Sequence, residues 1–507
     1  MTDEKVARPR RWRHRAFALA LAGALHGCTQ EAPADKEQAI SQEDRAYGAE
    51  QHRQLLAELG GAYEGGQGAY LRAVGERIAS GAGLGEQCTF TLVNSDVVNA
   101  FAVPGCFIYV TRGLLAVVGN EAELASVLGH EVGHIAARHA QRQERGSLWR
   151  TLGVIAVSLT GSERLTEFAG RAAQYFGLRY SRTQEYEADD LAVAYLRKAG
   201  YDLYAAAEML EALHRQEAFM NATRNQDAAR SLPEWTSSHP LTQKRIARAH
   251  DKARASGLKD DALPEKAEAY LEQVDGLLFG DDPQQGFVLG RRFAHPAMRI
   301  SFEAPTGFSL ANSPQAVRLI GPEGVSGEFG GGRLPSGGLR NYAQAVADAV
   351  MGDAPAVVRK ETTTQINGMP ALVLEMAVRV QDGTLPLLIA AYDGGGGEAY
   401  HFIMMSPPSN PQAAALEALI KSFRRLSPAQ AAALRPRYLQ TLVARREDTL
   451  DDFVRRTADP SPRALFVLLN PDYEGGAPKS GDRVKIVTYH PKSLVRERGA
   501  SSHSASF

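Results

Sequence analysis

The chain has 507 residues, of which 44% are hydrophobic and 23% charged, with a formal net charge of -1. A single core usually serves about 100 to 200 residues, so this length predicts two or three folded units. The balanced charge gives no basic field for nucleic acid, and no DNA or RNA partner is expected.

The N-terminal residues 1–28 have the pattern of an export signal. An arginine-rich start precedes the apolar run 16–25, which is too short to cross a bilayer. The run ends in Leu25-His26-Gly27-Cys28 and resembles a bacterial lipobox, which makes Cys28 the predicted lipidation site. The residue after Cys28 is Thr29 and not the aspartate that retains many lipoproteins at the inner membrane, which favours the outer membrane in a Gram-negative host. We therefore expect an exported, periplasmic outer-membrane lipoprotein, with plain secretion as the alternative.

The pattern of residues 41–275 predicts a mainly α-helical domain with one small β-sheet. Short β-branched and aromatic runs predict the sheet, and apolar residues at helical spacing predict the rest. The predicted elements are two helices within 41–80, strands at 89–94, 99–103 and 107–111, a helix capped by Asn120 through Arg138, helical pattern over 147–214, and a helix at 241–254. Cys88 and Cys106 flank the strands and are either a disulfide or two separate buried thiols.

The segment His130-Glu131-Val132-Gly133-His134 lies in the middle of the predicted helix. Residues four apart on a helix differ by about 40 degrees in direction, so both histidines can face one ion, which suits zinc. Glu131 projects beside them, where a carboxylate can take a proton from water. Downstream, Glu185 and Asp189 are also four apart, and one carboxylate can bind zinc while the other orients a histidine.

The residues around this segment resemble metallopeptidase family 48, a gluzincin family that includes bacterial periplasmic proteases. The resemblance covers about residues 41–255 and rests on three motifs ahead of the zinc segment: Asn99-Ala100-Phe101-Ala102-Val103-Pro104-Gly105, Tyr109-Val110-Thr111-Arg112-Gly113-Leu114-Leu115 and Asn120-Glu121-Ala122-Glu123-Leu124-Ala125. It implies a zincin-type fold that holds one Zn²⁺ per chain.

The same resemblance implies a role for each site residue. His130, His134 and Glu185 are the expected zinc ligands, Glu131 the general base, and Asp189 the partner of a ligand histidine. His239-Pro240 and Arg245 match a family element that stabilises the oxyanion or regulates access to zinc. The strand Asn99-Ala100-Phe101-Ala102 is expected to pair with an extended substrate. Cys106 stands where relatives commonly have a second glycine.

Two further regions are predicted beyond the zinc domain. Residues 285–428 alternate strands with two helices and resemble PsbP-like α+β domains. Residues 436–491 resemble a degenerate LysM module with a βααβ order, a type of module that binds peptidoglycan, although no aromatic platform for a glycan is visible. The serine-rich residues 492–507 are expected to be a disordered tail.

These patterns predict a zinc-dependent endopeptidase of the bacterial cell envelope that hydrolyses unfolded or misassembled proteins. The alternatives are a noncatalytic, chaperone-like protein tethered to peptidoglycan and a metalloenzyme directed at peptidoglycan. Intact ligands and Glu131 favour the protease, because a binding protein has no need of the general base.

Overall fold

The computed structural model describes residues 40–144, 180–223, 235–352, 354–380, 383–407 and 412–489. The export segment with Cys28, the helical pattern at 147–179 and the tail at 492–507 lie outside the described residues. Among the described helices, none combines the length and the apolar character that a membrane span requires.

The first region is mainly helical and contains one small sheet. Its elements are α1 (Gln42–Leu59), α2 (Gly66–Gly81), β1 (Thr89–Val93), β2 (Ala100–Val103), β3 (Phe107–Thr111), α3 (Arg112–Val117), α4 (Glu121–Ala136), α5 (His139–Glu144), α6 (Arg182–Ala199), α7 (Ala205–Thr223), α8 (Trp235–Ser238), α9 (Gln243–Ala255) and α10 (Ala267–Val274). The predicted strands and lead-in helices are confirmed. The described part of the long helical pattern is two helices, because Gly200 adopts φ 75° and ends α6.

The small sheet has the strand order β1-β3-β2, which leaves β2 at an edge. β1 pairs with β3 in parallel, and β2 pairs with β3 as an antiparallel hairpin. The hairpin turn contains Gly105 at φ 90° and Cys106 at φ 61°. Left-handed backbone favours glycine, which gives a physical reason for the glycine expected at the position of Cys106. In this structure Cys106 is joined to Cys88 in a disulfide.

Helix α4 begins and packs as the sequence predicts. The side chain of Asn120 accepts a hydrogen bond from the backbone N–H of Glu123 at 2.7 Å, which caps the helix. Two glycines then let α6 approach α4 closely. A Cβ at Gly129 would lie 3.2 Å from Cα of Ala192, and one at Gly133 would lie 3.2 Å from the carbonyl oxygen of Ala188. The close approach brings the acidic residues of α6 beside the histidines of α4.

The second region is rich in antiparallel sheet. Its elements, with the preceding β4, are β4 (Leu278–Phe279), β5 (Phe287–Leu289), β6 (Arg292–His295), β7 (Ile300–Glu303), β8 (Ser309–Asn312), β9 (Val317–Ile320), β10 (Ser326–Arg333), α11 (Gly338–Met351), β11 (Ala356–Ile366), β12 (Met369–Val380), β13 (Gly383–Gly395), β14 (Glu398–Met405), α12 (Ala413–Ser422), β15 (Arg424–Arg425) and α13 (Pro428–Ala432). The strands form a seven-stranded sheet, β11-β12-β13-β14-β10-β9-β8, and a four-stranded sheet, β15-β7-β6-β5.

Each face of the seven-stranded sheet is covered by one helix. Tyr392 and Phe402 face the core that contains α12, while Ile389 and Ile403 face the core that contains α11. This alternation is the usual period-two pattern of a sheet buried on both faces. The sequence did not predict β11, because nearly all of its side chains are exposed and show no alternation. The chain therefore has more than one folded region, a helical one followed by a sheet-rich one.

The last described segment packs against the first region. It contains β16 (Arg437–Val443), α14 (Leu450–Arg456), α15 (Pro462–Leu469) and β17 (Arg483–Thr488), and β4 joins its strands in a sheet of order β17-β16-β4. Leu439, Leu465 and Val487 belong to the same apolar core as the residues of α4. The buried Lys485 reaches the end of α3, where its Nζ lies 2.9 Å from the carbonyl oxygens of Ala116 and Val118.

Candidate metal centre

The two histidines of the sequence motif face each other on α4. Their Nε2 atoms are 3.0 Å apart, and both side chains are buried. Glu185 comes from the first turn of α6, which Ser181 and Gln184 close with a capping box. One oxygen of Glu185 lies 3.5 Å from Nε2 of His130 and the other lies 3.6 Å from Nε2 of His134. The structure therefore brings together all three residues expected to be ligands.

These spacings fit a tetrahedral ion. Ligand atoms at about 2.0 to 2.1 Å from zinc are about 3.3 Å from one another in a tetrahedron. The two Nε2 atoms are 3.0 Å apart, and each lies 3.5 or 3.6 Å from one of the two Glu185 oxygens, so these separations bracket that value. Nitrogen and carboxylate donors of this kind suit Zn²⁺.

The buried carboxylates also favour a cation at this position. Glu131, Glu185 and Asp189 are each at most 5% exposed, and Arg245 is the buried guanidinium that faces them. Two negative charges remain uncompensated when the imidazoles are neutral, and isolated buried charge is costly. The Oε1 atom of Glu131 accepts no hydrogen bond from the described residues. A divalent ion at this position fits the donor set.

The protonation of the ligands follows from their surroundings. Burial opposes the charged form of His130, but Asp189 and Glu185 outweigh burial and raise its pKa to about 9. Burial, together with neighbouring His130, holds the pKa of His134 well below its usual value. Burial acts to raise the pKa of Glu185, yet His239 and His130 lower it. A metal ion at this position would compete with the proton on His130.

Asp189 and Arg245 lie behind His130. Oδ1 of Asp189 is 3.0 Å from Nδ1 of His130, the nitrogen that faces away from the other ligands. Arg245 donates to both oxygens of Asp189, at 2.8 and 2.7 Å, and its Nη1 lies 2.7 Å from Glu185. Since these contacts engage the guanidinium, Arg245 fixes the position of two carboxylates at the centre.

His239 supplies a fourth donor. Its Nδ1 lies 3.1 Å from Glu185 and 3.2 Å from Nε2 of His130, while its Nε2 lies 3.6 Å from Glu131. Trp235 stacks on its ring at a centroid distance of 4.7 Å, and that tryptophan also lies under the guanidinium of Arg245. His239 is therefore close both to the three expected ligands and to Glu131.

The expected substrate strand lies next to the centre. Ala100, Phe101 and Ala102 are in edge strand β2, which packs against α4, and Asn99 immediately precedes it. The backbone N–H of Trp235 donates to the carbonyl of Val98 at 3.0 Å, so the segment that carries His239 adjoins this strand.

Three aromatic residues at the centre were not predicted. Tyr180 stacks on His134 at a centroid distance of 3.9 Å, and burial, then the charges of Glu131 and Glu185, raise its pKa above the usual range. His139 contacts the far side of His134, and Trp235 contacts His239. A third histidine shortly after the motif was the available signal for His139, but its direction depends on the turn at Arg138, which has φ 52°.

Two histidines one helical turn apart, a glutamate from a second helix and a buried carboxylate beside them define a metallopeptidase domain of the zincin type. Residues 66–253 match peptidase family M48. The match assigns residues 66–253, which hold the metal centre, to a metallopeptidase domain of this family.

Curated relatives share only part of the chain. The beta-barrel assembly-enhancing protease of Escherichia coli (strain K12) is 30% identical over 220 residues, which is 41% of this chain and 43% of that protein. The mitochondrial metalloendopeptidase OMA1 of Arabidopsis thaliana is 32% identical over 155 residues, covering 30% of this chain and 29% of that protein. Metalloprotease LoiP of Escherichia coli (strain K12) is 26% identical over 34% of this chain and 66% of its own length. The chain thus spans less than half of the beta-barrel assembly-enhancing protease.

Among solved structures, PsbP from Synechocystis sp. PCC 6803 is 17% identical with a TM-score of 0.23, covering 26% of this chain and 91% of that one. A likeness at this score supports no conclusion about the fold.

Proposed function

We propose that the protein is a zinc-dependent endopeptidase of the bacterial cell envelope that hydrolyses unfolded or misassembled proteins. The observation that carries the proposal is the buried carboxylate of Glu131, which lies 3.6 Å from His239, one of four clustered residues that could hold a metal ion. A carboxylate with an oxygen free of hydrogen bonds at such a site is costly to keep unless it has a chemical role.

In this proposal some of the residues bind the metal ion and another transfers protons. His130, His134 and Glu185 would hold zinc, and the bound ion would supply Lewis acidity toward the scissile carbonyl and the attacking water. Glu131 takes the proton of the attacking water and later delivers it to the leaving amine. In this proposal His239 stabilises the oxyanion or fills the fourth ligand position, and Arg245 holds Asp189 and Glu185 in place.

Edge strand β2 supports an extended peptide as the substrate. An edge strand offers backbone N–H and C=O groups to a further strand, and only an unfolded or exposed segment can adopt that conformation. The beta-barrel assembly-enhancing proteases named among the relatives support misassembled envelope proteins as the substrate class. The Cys88–Cys106 disulfide is consistent with an oxidising compartment. Attachment to the membrane through Cys28 belongs to the same proposal, and contact of residues 436–491 with peptidoglycan belongs to the alternative function.

The test uses the full chain with unfolded casein and with purified peptidoglycan as substrates. We expect cleavage of casein alone, its loss with a chelator, and its recovery when Zn²⁺ is restored. Glu131→Gln should keep zinc and lose about 10²- to 10⁴-fold in activity, because only the general base is removed. Full casein activity in that variant would overturn the proposal.

The same assays separate the alternatives. Chelator-sensitive release of peptidoglycan fragments without casein cleavage would point to a peptidoglycan-directed enzyme. Binding of unfolded casein without cleavage, by wild type and Glu131→Gln alike, would point to the chaperone-like function. Sedimentation with peptidoglycan would test the tether independently of either activity.

A further inference from the structure

A chain of polar contacts runs from zinc ligand His134 to the protein surface. Nδ1 of His134 lies 2.7 Å from Nδ1 of His139, a buried histidine at the start of α5. Nε2 of His139 lies 3.2 Å from Oε2 of Glu187, and Nη2 of Arg142 lies 2.9 Å from the same oxygen. Glu187 and Arg142 are 43% and 49% exposed, so the chain of contacts ends in solvent.

These contacts indicate which ring nitrogen of His134 and of His139 carries a hydrogen. His134 presents Nε2 to Glu185 and His130, so as a ligand it carries its hydrogen on Nδ1 and donates it to Nδ1 of His139. His139 then carries its own hydrogen on Nε2, the nitrogen that faces the carboxylate of Glu187. Every donor in this arrangement meets an acceptor.

The position of His139 is itself fixed. The side chain of Gln184 donates to the carbonyl of His139 at 3.1 Å, which links α5 to the first turn of α6. Tyr180 stacks on the face of His134. The other ligand histidine is held differently, because His130 meets the buried carboxylate of Asp189 directly. For His134 the corresponding carboxylate is that of Glu187, which is linked to His134 through the imidazole of His139.

We propose that His139 is a positioning residue for the zinc ligand His134, with Glu187 and Arg142 orienting His139 from the surface. The inference rests on the zinc site of the proposed function and adds residues to it. Partners that hydrogen-bond to a ligand histidine fix its tautomer and ring direction, and their loss typically weakens metal binding about ten- to a hundred-fold.

The test measures the zinc dissociation constant of the purified full chain by competition with a chelating dye, and the visible absorption of the Co²⁺-loaded protein. His139→Leu removes the acceptor and should weaken zinc binding about ten- to a hundred-fold and change the Co²⁺ spectrum. The amide oxygen of His139→Asn can stand where Nδ1 stands, so this variant should bind more tightly than His139→Leu. Glu187→Gln should cause a smaller loss.

A matched control is Asp190→Asn, which removes a carboxylate of the same helix that pairs with Arg248 and Lys252. Its zinc affinity should equal that of wild type. Equal zinc affinity in wild type, His139→Leu and Glu187→Gln would overturn the inference. If His139→Leu does not fold, equal zinc affinity in wild type and Glu187→Gln would overturn it. A wild-type chain that binds no zinc would overturn the proposed function as well.

Discussion

The candidate metal centre and the sheet-rich region bury different kinds of side chain. At the centre, eight ionisable side chains are buried together: His130, Glu131, His134, His139, Glu185, Asp189, His239 and Arg245. In the described part of residues 285–428, the buried polar residues other than tyrosine are His295, Ser301 and Ser406. Buried charge is costly unless it is paired or binds a metal, whereas apolar burial stabilises a fold without chemistry. The contrast indicates that catalysis belongs to the first region.

The largest effect is expected from Asp189→Ala. The change leaves the buried guanidinium of Arg245 with less compensation and removes the partner of His130. Loss of one member of a buried pair costs about 3 to 5 kcal/mol, so the free energy of unfolding should fall by that order and zinc content should drop. Urea unfolding and metal analysis measure both. Asp189→Asn keeps the shape of the side chain and should lose less stability. Equal free energies of unfolding for wild type, Asp189→Ala and Asp189→Asn would contradict a structural role for this buried charge.

Phe402→Ala is the corresponding change in the sheet-rich region. Phe402 is fully buried and packs on Phe302 and Phe329 at centroid distances of 5.0 and 4.9 Å. Truncation should lower the free energy of unfolding by about 3 to 5 kcal/mol, since it leaves a cavity. Zinc affinity of the folded protein should stay as in wild type. Weaker zinc binding in this variant would show that the two regions are coupled.

Lys485→Met tests how the last segment is joined to the first region. The change leaves the carbonyls of Ala116 and Val118 without the buried ammonium group, which also lies near the charge of Glu123. Unpaired buried groups cost about 1 to 3 kcal/mol, and the unfolding free energy should fall by that order. The exposed Lys479→Met is the control and should unfold as wild type does. Identical urea curves for the two variants would contradict an anchoring role.

The smallest effect is expected from carboxylates beside α4. Burial, then neighbouring Glu265 and Glu123, raises the pKa of Glu208 to about 8, and burial with nearby acids raises that of Glu265 to about 7. Both carboxyls hold protons more tightly when folded, so their contribution to stability is present below about pH 4.5 and is lost as pH rises through 7 to 8.

Glu208→Gln removes one of these charges. The variant should melt roughly 1 to 3 °C above wild type at pH 8 and near the wild-type temperature at pH 5. Thermal unfolding followed by circular dichroism at both pH values measures the difference. A stabilisation of equal size at pH 5 would rule out charge repulsion as its cause.

Much of the centre could be predicted because its geometry is local. His130 and His134 share a helix face, as do Glu185 and Asp189, and period 3.6 alone fixes those directions. The N-terminal helix cap at Asn120 could be predicted for the same reason. The exposed strand β11 was not, because a strand with both faces in solvent carries no alternating pattern.

The sequence by itself determined the metal-binding residue types, the helix that presents them and the change from a helical to a sheet-rich region. The tertiary structure decided which distant groups surround them. His139 and Glu187 meet only because α5 turns back onto α6, and Lys485 meets α3 only through the packing of the last segment. Such contacts join residues that are far apart in the chain, so the helical or strand periodicity of a local segment does not predict them. Helical spacing thus placed His130 and His134 on one face, whereas long-range packing brought Glu185 to them and decided which groups contact His134.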